Sequence, residues 1–119
     1  MGTKSGDDAY CPEAGDIIWI DFDPTKGHEQ QGRRPAIVLS PRAYNERAKL
    51  CVACPVTSRP KGYPFEVRLP QGHAVPGVIL ADHLRNLAWS EGRAKFITAA
   101  PADVLDDALA KISALIGLD

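Results

Sequence analysis

The segment DIIWIDFDPTKGHEQQGRRPAIVLS (16–40) decides the fold of this chain, because two apolar runs lie on either side of a polar loop. Side chains alternate in character along 16–23, and this period of two predicts a β-strand that ends at Pro24. One face of that strand is expected to hold Ile18, Ile20 and Phe22, and the other face Trp19, Asp21 and Asp23. The second run, 35–40, is almost continuously apolar and predicts a buried second strand.

Further short strands are predicted at 50–56, 65–69, 78–81 and around 95–98, separated by turn-rich loops. A short helical piece is expected within 41–49, whereas the pattern of 82–89 assigns no element. The chain ends in an amphipathic helix whose apolar stripe comprises Val104, Leu105, Ala108, Leu109, Ile112, Leu115 and Ile116. Five or six strands followed by one helix predict a mainly β domain, a small antiparallel barrel or strongly curled sheet with the helix packed on it.

Length and composition set the class of protein. The 119 residues suffice for one core, with residues 1–13 expected as a flexible tail and 14–119 as the domain. The net charge of −1 excludes a uniformly basic nucleic-acid binder, so any such role needs locally placed charge. Because the sequence has neither an apolar signal region at its N-terminus nor an apolar run long enough to span a bilayer, it predicts a cytoplasmic protein without membrane contact.

Metal sites and disulfides are not expected. The three cysteines are predicted to be free thiols, since an odd number does not form a disulfide framework: Cys11, Cys51 and Cys54. Cys51 and Cys54 form a C-x-x-C within one strand, where positions three apart face opposite sides, which disfavours zinc. The carboxylates of Asp16, Asp21 and Asp23 are likewise divided between the two faces of the first strand.

The main candidate site combines the loop 24–33, Arg34 at its exit, and the TSR segment 57–59 at the exit of the third strand. Pro35 holds the backbone of Arg34 extended, which gives the guanidinium a fixed base from which to bind a phosphate through two parallel hydrogen bonds. The alternative is that Arg34 forms a surface ion pair with Glu29 or a nearby aspartate, an arrangement that is common and contributes little.

Other polar residues in these loops have two interpretations each. Glu29 is a candidate general base or a solvated loop carboxylate, and Gln30 and Gln31 either read base edges or are solvated. Three histidines are candidates for acid–base chemistry or bystanders: His28, His73 and His83. The nucleotide-binding and hydrolase motifs with glycine-rich or H-E-x-x-H spacing are absent from the sequence.

Charge is distributed unevenly along the chain. Basic residues gather in or beside the candidate loops, namely Lys26, Arg33, Arg34, Arg59, Lys61 and Arg68. Acidic residues lie on or after the terminal helix, namely Asp103, Asp106, Asp107 and Asp119. This pattern predicts a basic face balanced by an acidic opposite side.

Four segments of the chain resemble, in order, the MazF/PemK-type toxins of bacterial toxin–antitoxin pairs: GDIIWIDFDPTKGHEQQGRRPAIVLSP (15–41), KGYPFEV (61–67), LADHLRNLAW (80–89) and LIG (115–117). The resemblance covers about residues 14–117. It implies an SH3-like antiparallel barrel of the MazF/CcdB kind with a C-terminal helix, a homodimer, and an endoribonuclease without metal or cofactor. Such enzymes cut single-stranded mRNA at short motifs by attack of the ribose 2′-hydroxyl, leave a 2′,3′-cyclic phosphate and a 5′-hydroxyl, and arrest growth.

The resemblance also implies roles for single residues. The R-P arginine falls on Arg34, the strand-end threonine on Thr57 and the loop acid on Glu29, which are therefore the expected catalytic residues. RNA contacts are expected from Lys26, His28, Gln30, Gln31, Arg33, Ser58, Arg59, Lys61, His83 and Arg85. The chain departs from the family pattern at His83, where a glutamine is frequent, and at Arg33 before the R-P arginine.

The resemblance further implies partners. A cognate MazE-like antitoxin is expected to lay an extended acidic and apolar tail in the RNA groove, and operator DNA binding is expected only through that complex. Because DNA gyrase poisons of the CcdB type share the fold, a non-nucleolytic gyrase poison is the alternative function. Retention of Arg34, Thr57 and the loop acid favours RNA.

Overall fold

The computed structural model describes residues 10–23 and 32–118. Within them lie seven strands, two α-helices and one short 3₁₀ turn. In chain order they are β1 Asp16–Asp21, β2 Arg33–Val38, α1 Arg42–Ala48, β3 Cys51–Thr57, β4 Glu66–Arg68, β5 Val78–Leu80, the turn Ala81–His83, β6 Arg85–Leu87, β7 Lys95–Ala99 and α2 Ala102–Leu115. The predicted strands and both predicted helices are confirmed, and β6 lies in the stretch to which the pattern assigned no element.

All strands pair antiparallel in one sheet of order β4-β5-β3-β2-β1-β7. The long strand β3 pairs with β2 along one edge, whereas its other edge is shared by β6 in the first half and β5 in the second. This division bends the sheet around β3. The fold is therefore the predicted strongly curled antiparallel sheet with a C-terminal helix, and in the described residues its end strands β4 and β7 are not paired with each other.

The sheet has a hydrophobic cluster on each face. Ile17 belongs to the cluster beneath α2, whereas Ile18 and Ile20 belong to the other one, and the β1–β7 register shifts between Ile17 and Ile18. Cys54 lies in the first cluster and Cys51 in the second, as strand alternation predicts. Burial raises the pKa of each of these two thiols to about 12, and all three cysteines are free, as predicted.

The folded domain begins earlier than the sequence suggests. Tyr10 is 5% exposed and its hydroxyl donates to Asp16 Oδ2 at 2.7 Å. The Glu13 amide donates to the same oxygen at 3.1 Å, and the Pro12 carbonyl accepts from Asn45 Nδ2 at 2.8 Å. The prediction of a tail over residues 1–13 is thus wrong for residues 10–13, because the polar composition of this segment gives no sign of these long-range contacts. Residues 1–9 lie outside the described residues.

Helix α2 buries a narrower stripe than predicted. Only Val104, Ala108 and Ile112 are buried, since a single helix on a curled sheet contacts it along one i, i+4, i+8 row. Leu105 is partly buried against the same cluster. The other apolar residues are exposed, namely Leu109 at 41%, Leu115 at 42% and, beyond the helix, Ile116 at 59% and Leu118 at 72%. Neither helix of the described residues is long and apolar enough to cross a membrane.

Candidate active site

The ladder between β2 and β3 brings the two best sequence candidates together. Its register pairs Ala36 with Pro55 and, continued two residues outward, places Arg34 opposite Thr57. Cross-strand partners project to the same face of a sheet. Arg34 is exposed, and both side chains, with Ser58, line a surface cavity of about 350 Å³, here called the Thr57 cavity.

On its other side Arg34 lines a second cavity, also of about 350 Å³, with Phe22, Asp23, His83 and Arg85. We call it the Phe22 cavity, because two guanidinium groups converge on that ring. The Cζ atom of Arg34 lies 6.0 Å from the ring centroid and that of Arg85 5.8 Å. Two cations resting on one aromatic ring form a ready site for an anion.

The ion-pair alternative for Arg34 finds no support within the described part of the chain, where Arg34 has no carboxylate within salt-bridge distance. Its neighbour Arg33 has the structural role instead. Arg33 Nη1 donates to Asp21 Oδ1 at 3.0 Å and to the Gly92 carbonyl at 3.3 Å, and Nη2 donates to the Arg93 carbonyl at 3.0 Å. These three hydrogen bonds hold the Arg33 head group against the protein itself, while the RNA contact expected of Arg33 stays a prediction. Consecutive strand residues face opposite sides, so the two arginines make different contacts, although both line the Thr57 cavity.

Asp21, Arg33 and Arg93 form a cluster that we call the Asp21 clamp. Arg93 Nε donates to Asp21 Oδ2 at 2.8 Å and Nη2 to Oδ1 at 3.1 Å, while the Asp21 side chain is 8% exposed. The hydrogen bonds from Arg93, reinforced by the one from Arg33, lower the pKa of Asp21 below its ordinary value. Arg93 itself adopts the left-handed region, with φ of 56°. The clamp therefore fastens the turn around residues 88–94 to the start of β2.

The clamp also fixes the two ends of the candidate loop. The ladder pairs Asp21 with Arg33, and the Phe22 amide donates to the Gly32 carbonyl at 2.7 Å. Residues 24–31 between these ends lie outside the described residues. The predictions made for Lys26, His28, Glu29, Gln30 and Gln31 therefore lie outside them as well.

The segment after β3 is held by its backbone, while its side chains remain exposed. Thr57 Oγ1 accepts a hydrogen bond from the Arg59 amide at 3.2 Å, and Glu66 accepts from the amides of Lys61 and Gly62 at 2.9 and 3.0 Å. These backbone donors, that of Lys61 foremost, lower the pKa of Glu66. The side chains of Ser58, Arg59 and Lys61 are exposed at the rim of the Thr57 cavity or in the loop that follows it.

A glycine lets β5 approach β3 at this site. Gly77 has a φ of +118°, and a Cβ added there would lie 2.1 Å from the Thr57 carbonyl oxygen. No other residue type fits this position without moving the backbone.

Of the histidines, His83 lies in the Phe22 cavity, with Nε2 3.7 Å from Asp82 Oδ1. His73 accepts a hydrogen bond from the Val75 amide and lies outside both cavities that Arg34 lines. Sequence reasoning missed the part played by Phe22, which it placed only on one face of the first strand with Ile18 and Ile20. The ring is buried, and the guanidinium groups of Arg34 and Arg85 both lie close to it. No local pattern links these three residues.

Comparison with known proteins gives a consistent result over nearly the whole chain. Residues 13–116 match the family described as PemK-like, MazF-like toxin of type II toxin–antitoxin system. The endoribonuclease toxin MazF of Escherichia coli K12 is 51% identical over 109 residues, which span 91% of this chain and 96% of that protein.

Solved structures agree. The crystal structure of MazF (Form-I) from Deinococcus radiodurans superposes with a TM-score of 0.83 at 56% identity, covering 91% of this chain and 98% of that one. A MazE–MazF structure (Form-II) from the same organism gives a TM-score of 0.81 at 52% identity, covering 91% and 97%.

Proposed function

We propose that this chain, which belongs to the PemK-like, MazF-like toxins of type II toxin–antitoxin systems, cuts single-stranded RNA at a site centred on Arg34. The chain is an endoribonuclease toxin. The observation that carries the choice of site is the position of Arg34 between two cavities, opposite Thr57 in the strand register. The same membership disfavours the alternative of a gyrase poison.

The chemistry follows from these groups. The 2′-hydroxyl of the nucleotide before the cut attacks the adjacent phosphorus, its proton passes to a base, and the new O2′–P bond forms as the P–O5′ bond breaks. Negative charge accumulates on the phosphoryl oxygens, where the Arg34 guanidinium stabilises it most. A proton delivered to O5′ completes the 5′-hydroxyl product and leaves a 2′,3′-cyclic phosphate.

The roles of the two partners of Arg34 follow from the resemblance and from local bonding. Thr57 Oγ1 accepts from the Arg59 amide, and within the described residues its own hydrogen is available for donation to the phosphate or to O5′. Glu29, which lies between β1 and β2 in the sequence, is proposed to assist removal of the 2′-hydroxyl proton.

Purified protein and a long RNA in excess EDTA provide the test. We expect discrete fragments with 5′-hydroxyl and cyclic phosphate ends, and no cutting where the 2′-hydroxyl at the cleavage site is replaced by hydrogen. A strict requirement for added metal would contradict the mechanism. Growth arrest with intact mRNA and damaged DNA would instead support the gyrase poison.

Partners and location follow the same premise. A MazE-like antitoxin is proposed to bind this chain and block the groove, with operator DNA contacted only through that complex, since a related structure is of MazE with MazF. Co-expression with the product of an adjacent gene should relieve toxicity. The exposed apolar residues Leu115 and Ile116 are proposed to contribute to a homodimer. The protein is proposed to act in the cytoplasm, on the ground that its expected substrate is mRNA.

A further inference from the structure

We infer that Glu66 is a positioning residue for the cleavage reaction: its carboxylate holds the segment 58–63 in place and thereby directs the hydroxyl of Thr57. The inference rests on the proposed function, which gives Thr57 a proton to donate. It adds a residue that acts on the reaction through Thr57 and not by contact with the RNA.

The segment 58–63 has little packing to fix its conformation. It leaves β3 at Thr57, and each of its residues is exposed, Tyr63 to 60%. The two hydrophobic clusters of the described residues include none of them. Ser58 nevertheless lines the Thr57 cavity. A segment that has to keep a defined shape beside the reacting phosphate without burial therefore depends on hydrogen bonds.

Glu66 supplies such bonds at the far end of the segment. Its Oε2 accepts from the Lys61 amide at 2.9 Å and its Oε1 from the Gly62 amide at 3.0 Å, so each carboxylate oxygen has its own donor. The Glu66 amide in turn donates to the Tyr63 carbonyl at 3.1 Å. Glu66 itself is fixed by β4, where it pairs with Leu80 of β5. Because hydrogen bonds to a charged acceptor are roughly twice as strong as neutral ones, this carboxylate is a firm anchor.

The anchor is linked to Thr57 by a short and stiff stretch of backbone. Pro60 lies next to Lys61, and its ring fixes its own φ and favours an extended Arg59. The Arg59 amide donates to Thr57 Oγ1 at 3.2 Å. This bond favours the Thr57 rotamer that keeps Oγ1 next to the amide, and it occupies one lone pair, so the hydroxyl hydrogen points away from the amide. A shift of Lys61 therefore moves Arg59 and with it the direction of the Thr57 hydroxyl.

The charge of Glu66 separates this role from a direct contribution to RNA binding. Its carboxylate lies beside two residues of the predicted basic face: it is bonded to the Lys61 amide, and its charge interacts with that of Arg68. A negative charge at this place opposes the approach of the RNA backbone. Its removal should therefore leave RNA affinity unchanged or higher. A loss of turnover on its removal then reports on the geometry of the site and not on binding.

Cleavage of one short RNA by the full chain tests the role. Glu66→Ala should lower kcat roughly tenfold or more with KM unchanged or lower, since a misplacement of about 1 Å can cost on the order of 100-fold. Glu66→Gln keeps one acceptor oxygen and should lose less. In a Thr57→Val background, Glu66→Ala should cause no further loss of kcat, because the hydroxyl that it positions is gone. The exposed Glu46→Ala on α1 is the matched control and should leave kcat and KM unchanged.

Amide hydrogen exchange in the same variants gives a readout that needs no turnover. Glu66→Ala should speed exchange at Lys61 and Gly62 roughly three- to tenfold, the effect of one lost hydrogen bond. It should also speed exchange at Arg59, whose amide donates to Thr57. Faster exchange confined to Lys61 and Gly62 would overturn the link to Thr57.

Two kinetic outcomes would overturn it as well. One is an equal loss of kcat from Glu66→Ala with and without Thr57→Val, and the other is a Thr57→Val variant as active as the wild type. A wild type that cuts no RNA would instead refute the proposed function, and exchange at Arg59 would still decide whether Glu66 holds the segment.

Discussion

Arg33 and Arg34 are adjacent residues of the same type, and we predict opposite consequences when each is replaced by alanine. Arg33→Ala removes a charge-assisted hydrogen bond to a carboxylate that is 8% exposed and two bonds to carbonyls of the 88–94 turn. Asp21 keeps Arg93 as a partner, and the Gly92 carbonyl keeps its bond from the Asp21 amide. The free energy of unfolding should therefore fall by about 2–3 kcal/mol, the loss of one hydrogen bond to a charged group plus weaker bonds to the carbonyls.

Arg34→Ala removes an exposed side chain, so the free energy of unfolding should change by no more than about 0.5 kcal/mol. Cleavage should instead fall at least 100-fold, on the order of one lost donor to a developing oxyanion. Arg33→Ala should retain cleavage far better than Arg34→Ala when assayed below its melting temperature.

Urea unfolding at one fixed protein concentration and cleavage of a single RNA under native conditions measure both effects. Arg33→Lys provides a conservative control, because one ammonium cannot reach the carboxylate and both carbonyls at once and should restore only part of the stability. An Arg33→Ala variant as stable as the wild type would refute the clamp. A strongly destabilised Arg34→Ala variant would return Arg34 to the ion-pair interpretation.

Three further predictions concern the clamp, the site backbone and the apolar face of α2. Because the clamp lowers the pKa of Asp21, its contribution to stability is complete above the unfolded pKa of about 3.9 and is lost as pH falls through the lower folded pKa. The difference in free energy of unfolding between wild type and Asp21→Asn should therefore narrow below about pH 4. Gly77→Ala should displace β5 from Thr57 and reduce both stability and cleavage. Gly72 is also at positive φ but has no atom within 4 Å of an added Cβ, so Gly72→Ala should lower stability only through its backbone strain. Ile116→Glu should shift the molecular mass in solution toward the monomer, with the exposed Ala110→Glu on α2 as the unchanged control, and a wild-type monomer would contradict the proposed homodimer.

The sequence by itself determined the features that depend on neighbours along the chain. Period-two alternation located β1, the terminal apolar stripe located α2, and strand geometry placed Cys51 and Cys54 on opposite faces. Each of these follows from backbone geometry over a few residues. Arg34 was identifiable for the same reason, because Pro35 and a buried strand follow it directly.

The tertiary structure alone decided which arginine binds Asp21 and which lies over Phe22. Asp21 binds Arg33, 12 residues away, and Arg93, 72 residues away. The different roles of the adjacent Arg33 and Arg34 therefore depend on the turn at 88–94. The same holds for Phe22, which supports Arg34 and the distant Arg85, and for Tyr10, which belongs to the domain through Asp16. Burial and ion pairing are properties of surfaces brought together by folding, and local patterns carry little information about which distant segment will cover a given side chain.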